Sequence, residues 1–214
     1  MPRATGAIPI NPGFGKDSFS QTEVVHIVIA VLVLSAAFAN VFKWSLGGFF
    51  NPDPLLDYLG MFGLSMVLIL TSFLGHELSH KFVAQRYGAW AEFRMFPMGL
   101  VFAFLLSFTG FLFAAPGAVY IEGRITERQY GLISAAGPAS NIVMAVVGVA
   151  LLFITSGAVA GLVALFITLN LVLALFNLIP IGPLDGAKIL RWNTGVYLFM
   201  VAVAGGMYAL LFLL

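Results

Sequence analysis

His76, Glu77 and His80 have both the types and the spacing for metal chemistry, in the run Gly75-His76-Glu77-Leu78-Ser79-His80. Residues four apart share a helix face, so both imidazoles can turn to one metal ion. Glu77 beside them is a carboxylate placed to accept a proton from a water that the metal activates. The chain has three histidines, and two of them are in this motif. It has no cysteine, which excludes disulfides and thiolate sites and leaves imidazole and carboxylate as ligands. The remaining histidine, His26, opens an apolar run and reads as an interfacial or hydrogen-bonded residue rather than a ligand.

A zinc site built this way needs a third protein ligand. Asp185 is the candidate, in Asn177-Leu178-Ile179-Pro180-Ile181-Gly182-Pro183-Leu184-Asp185-Gly186. Pro180 and Pro183 interrupt helical hydrogen bonding, so this backbone must line protein or water. A carboxylate in such a strip suits a ligand; the alternative is a helix cap for the segment that starts at Gly186.

These residues must be positioned by membrane helices. The 214-residue chain is 61% hydrophobic and 9% charged, where soluble domains carry roughly 25% charged residues. Mean hydropathy is +1.03. The formal net charge of +1 gives no reason to expect nucleic acid as a partner. The expected fold is an all-α polytopic membrane protein. Residues 1–23, with Pro2, Gly6, Pro9, Pro12, Gly13 and Gly15, read as a polar N-terminal tail, not a signal peptide. Residues 24–214 form a single transmembrane domain, with a catalytic core over about 58–191.

Five spans are expected: Val24–Phe42, Tyr58 to beyond His80, Leu132–Ser156, Val159–Ile179 and Thr194–Leu214. Between the first two lies a loop marked by Gly47-Gly48 and Asn51-Pro52, where Asp53 and Asp57 read as solvated or helix-capping carboxylates. The apolar stretch Met98–Ile121 is either a sixth span or a re-entrant hairpin or helical segment. Charge favours re-entry. With the N-terminus in the cytoplasm and this stretch spanning, the ten basic residues divide evenly. With it re-entrant, Lys43 alone is outside, which satisfies the positive-inside rule. Re-entry also returns Asp185 to the side of His76 and His80. The site therefore opens toward the cytoplasm of a cell-membrane protein.

The chain resembles the site-2 proteases, zinc metalloproteases that cut within membranes. Three motifs in order carry the resemblance: Gly75-His76-Glu77-x-x-His80; Gly137-Pro138-x-x-Asn141; and Asn177-x-x-Pro180-x-x-Pro183-Leu184-Asp185-Gly186. Ala187 stands where the family often has a second glycine, and no PDZ-like or nucleotide-sensing segment is present, as in a minimal form. The resemblance implies hydrolysis of a peptide bond within or near a transmembrane segment of a membrane-anchored protein substrate in the lipid bilayer. It implies one zinc ion on His76, His80 and Asp185, with Glu77 as the general base. It implies for Asn141 either a hydrogen bond to the developing oxyanion or substrate, or a helix-packing role. Gly137, Pro138, Asn177, Pro180, Pro183 and Gly186 are expected to shape the core. The alternative reading is a non-catalytic metal-binding membrane protein or a metal transporter, which would want several sites along a path.

Overall fold

The computed structural model describes residues 19–46, 53–112 and 114–211. Most of the expected tail (residues 1–18), the Gly47-Gly48 and Asn51-Pro52 turns, and the last three residues lie outside them. Among the described residues, five helices are long and apolar enough to cross a membrane. They are α1 (Gln21–Leu46), a continuous helical stretch Pro54–Arg86, α5 (Glu127–Leu152), α6 (Gly157–Asn177) and α8 (Thr194–Leu211). The protein is an all-α polytopic membrane protein with one small sheet. Its outward faces are apolar, with Val143, Val147, Leu198 and Phe199 all exposed.

The stretch Pro54–Arg86 has three parts: α2 (Pro54–Ile69), a π-helical turn (Leu70–Leu74) and α3 (Gly75–Arg86). Asp53 caps α2, accepting from Leu55 N at 2.9 Å and Leu56 N at 3.2 Å, as a helix-capping carboxylate should. Asp57 is buried rather than solvated. In the π turn the Ser72 and Thr71 hydroxyls donate to the Leu68 and Val67 carbonyls of the preceding turn.

Met98–Ile121 does not form a membrane-crossing helix. It is a short helix α4 (Pro97–Ser107), a turn, and strand β2 (Gly117–Glu122). Eleven residues of α4 make about 16 Å of helix, half of a hydrocarbon core of about 30 Å. The chain turns at Gly110, where φ is +80°. The returning strand does not pair within the segment. It pairs antiparallel with β1 (Trp90–Met95), so that Phe93 faces Val119 and Trp90 faces Glu122. The apolar stretch thus contributes one short helix and one strand, and the ribbon's first strand lies upstream of it. An amide bridge holds α4 on α1, with Asn40 Nδ2 donating to Ser107 Oγ at 2.9 Å.

A capping box of Thr126 and Gln129 starts α5. Helix α5 packs on α3, α6 and the short α7 (Asp185–Trp192), and α8 packs on α6 and α7. One core cluster joins α5 through α8, with Ile167, Leu171 and Ile189 fully enclosed. Another gathers Leu34, Ile69, Phe73, Phe93 and Leu100 from α1, α2, the π turn, the ribbon and α4. Helix α1 begins at Gln21, three residues before the expected Val24, so Glu23 is helical and not part of the tail.

Candidate metal centre and active site

Helix α3 presents His76 and His80 inward, one turn apart, with Nε2 atoms 3.0 Å from each other. Asp185, first residue of α7, brings Oδ2 to 3.4 Å from His76 Nε2 and 3.1 Å from His80 Nε2. All three residues are buried. The chain reaches this point through the break at Pro180 and Pro183, where Leu184 N donates back to Ile181 O at 3.3 Å. Gly186 follows because the backbone closes tightly there: a Cβ would sit 2.1 Å from Leu178 O.

The outer ring nitrogens settle the tautomers. His80 Nδ1 lies 2.7 Å from Ile133 O, which can only accept. His76 Nδ1 lies 2.7 Å from Asn141 Oδ1. Asn141 is fixed in that orientation because its Nδ2 donates to Ser72 O at 3.1 Å and to Asn170 Oδ1 at 3.0 Å. Asn170 is fixed in turn, with Nδ2 donating to Phe166 O at 2.9 Å. Both imidazoles therefore carry their proton on Nδ1. Two Nε2 lone pairs and a carboxylate oxygen then converge with no hydrogen between them. Such a set of acceptors calls for a cation, and two imidazoles with one carboxylate suit zinc. Among the described residues, His76, His80 and Asp185 are the group whose ligand atoms, all within 4.8 Å of one another, could hold a metal ion.

Helix α5 is shaped to accept this cluster. A Cβ on Gly137 would lie 2.3 Å from His80 Nε2 and 2.6 Å from His76 Nε2, so a larger residue would fill the metal's place. Pro138 carries no N–H, so the Ser134 carbonyl loses its helical donor, next to the Ile133 carbonyl that serves His80. Glu77 is buried beside the pair and lines one cavity with Val119 of β2. A cavity of about 670 Å³ opens over the site. Its walls include Phe73, Ala115, Val119 and Phe176, with Lys188 near the centre. The Lys188 ammonium is 3.4 Å from Asp185 Oδ1, the oxygen that faces away from the imidazoles.

The structure thus brings His76, Glu77, His80, Gly137, Asn141, Asp185 and Gly186 to one place. Asn177 lines the cavity and donates within its own helix to Leu173 O at 3.0 Å. Asn141 stands behind His76 with both amide hydrogens committed to Ser72 and Asn170, so in this arrangement none is left for an oxyanion. His26 lies outside the cluster. Sequence reasoning passed over Asn170 and the Ile133 carbonyl, since neither belongs to a recognisable spacing. It also counted Lys81 as a cation of the basic side. Lys81 is instead fully enclosed and paired with Glu23.

Fold and site together define a multi-pass membrane protein with a buried His–His–Asp centre and an adjacent glutamate. The chain is 38% identical over 183 residues to "Putative zinc metalloprotease MJ0611" of Methanocaldococcus jannaschii, covering 84% of this chain and 88% of that protein. It is 33% identical over 165 residues to "Putative zinc metalloprotease YwhC" of Bacillus subtilis, covering 66% of this chain and 71% of that one. A shorter match, 31% over 130 residues, reaches "Zinc metalloprotease MJ0392" of M. jannaschii, covering 58% of this chain and 32% of that one. No family model matches the chain. No solved structure matches it. The chain belongs to the site-2 protease-like family of zinc metalloproteases, and zinc is the metal its relatives imply.

Proposed function

We propose that this protein hydrolyses a peptide bond within or near a transmembrane segment of a membrane-anchored substrate. The observation that carries the reading is the convergence of His76, His80 and Asp185, as bare acceptors, on a cavity floored by Glu77. When bound, zinc supplies a Lewis acid that lowers the pKa of a water and polarises the scissile carbonyl. His76, His80 and Asp185 hold it. Asn141 and the Ile133 carbonyl keep both imidazoles in the ligating tautomer. Glu77 takes the proton of the attacking water and returns it to the leaving amine. The β2 edge beside the cavity suits an extended peptide joined by strand addition. A helical substrate must unwind to present its carbonyl there.

The site lies about 15 Å along the helix from Arg86, at the end of the bundle that carries Arg86, Arg94, Arg124, Arg128, Lys188 and Arg191. That charge supports a cytoplasmic location for this end, and for the opening of the site, in a protein of the cell membrane. A transporter would use several ligand groups along a path. The described residues gather into a single one.

Glu77→Gln tests the reading. It removes the proton acceptor and no ligand, so purified protein should keep one zinc per chain and lose cleavage of a membrane-anchored model substrate. Cleavage at the parental rate would refute the role given to Glu77. Zinc without cleavage of any substrate by the parent would refute the proteolytic reading.

A further inference from the structure

Glu23 and Lys81 form an ion pair in which both residues have no exposed surface. Isolating two charges from water is costly, and this pair is outside the metal cluster. Its geometry links three elements. Lys81 follows the ligand His80 on α3, and its ammonium also sits 3.8 Å over the Phe19 ring. Glu23 is on α1, and its second oxygen accepts from the Phe93 N–H of β1 at 2.9 Å.

That last bond fixes the orientation of the ribbon. In an antiparallel pair, a residue whose N–H points away from its partner strand belongs to a non-hydrogen-bonded pair. Phe93 is paired with Val119. The Val119 N–H must then point out of the opposite edge, and Val119 and Glu77 line the same cavity. Glu23 therefore holds the β1 edge of the ribbon at the register of the β2 residue that stands over Glu77's cavity. Glu23, through Lys81, is at the same time tied to the helix that carries Glu77.

We propose that Glu23 is a positioning residue for the catalytic centre. It sets the depth and register of the β1–β2 ribbon against α3, and so the place of the β2 edge relative to Glu77 and the metal ligands. This inference rests on the proteolytic reading for its effect on cleavage, but not for its effect on the ribbon.

Two neutral double variants separate anchoring from charge. Glu23→Gln with Lys81→Met removes both charges and keeps an acceptor for the Phe93 N–H. Glu23→Leu with Lys81→Met removes the acceptor as well. Zinc content should stay at one per chain in both. Per zinc-loaded chain, the first should cleave within about threefold of the parent. The second should lose on the order of a hundredfold, mainly in kcat, as misplacement by about 1 Å does. Amide exchange over residues 90–95 and 117–122 should quicken in the second alone. A merely structural pair predicts less folded protein, with unchanged cleavage per zinc and unchanged ribbon exchange. Equal cleavage or equal exchange in the two variants would overturn the proposal. Should the Leu–Met variant not fold, Glu23→Asp, which keeps the charge and shortens the reach, is read the same way. Parental cleavage and exchange there would overturn it. If the parent binds zinc and cleaves nothing, the proteolytic reading fails while the exchange comparison still decides the anchor.

Discussion

Asn141 shows how much a single amide can carry. It accepts from one ligand and donates to Ser72 and Asn170, joining α3, α5 and α6 around His76. Asn141→Ala should weaken zinc binding about 10- to 100-fold, the usual cost of losing a partner behind a metal ligand. Chelator competition measures it. An oxyanion donor would instead slow turnover at unchanged zinc affinity. Gly137→Ala is a sharper test of the site's shape. Alanine favours a helix over glycine by about 1 kcal/mol, but its Cβ would lie 2.3 Å from His80 Nε2 and 2.6 Å from His76 Nε2, so the imidazoles must move. The expected result is loss of zinc with a lowered melting temperature, measured as metal content and thermal unfolding of the same variant. The convergence of His76 and His80 was legible because histidine is rare here and their spacing is helical. The tautomer-setting partners were not, because they follow from which helices become neighbours, and a lone asparagine in an apolar run does not announce that.

At the scale of elements, the departure from simple spanning helices is the return of the chain through α4 and β2. Charge distribution and the need to bring Asp185 back beside His76 and His80 both pointed to a non-spanning stretch. The pairing of β2 with β1 was not legible. Trp90–Met95 is short and carries Glu92 and Arg94 among its apolar residues; in the fold these two pair with each other at 2.5 Å while Ala91 and Phe93 are buried. The orientation can be checked in this cysteine-free chain. Arg124→Cys, between β2 and α5, should be shielded from an impermeant reagent on intact cells. Ser156→Cys, between α5 and α6, should be labelled. The reverse pattern would overturn the cytoplasmic placement of the site.

For the whole molecule, the five spans and their lipid-facing surfaces followed from length and hydropathy. The start of α1 did not, because Glu23 looks like a polar flank until Lys81 and Phe93 are seen around it. On the proposed reading, a substrate must enter the buried site as extended chain. A model substrate with glycine or proline near the cut should therefore be cleaved faster than one with a uniform leucine helix, measured as initial rate at equal surface density. Equal rates would count against unwinding as a step.

The π turn at Leu70–Leu74 has a further consequence, one of helical phase. An α-helix advances about 100° per residue, and a π turn holds one residue more than an α turn. The faces of α2 and α3 are thus out of step by about that angle. Met61, Ser65 and Leu68 bury one side of the upper half, while His76, Glu77 and His80 are aimed by the lower half at α5. Deleting one residue of the turn, such as Thr71, would let the stretch run as an unbroken α-helix. With α2 held by α1, both imidazoles would swing away from Asp185, and zinc should be lost although no ligand had been altered. A change of length by one residue at this turn is in effect a substitution at every position of the site.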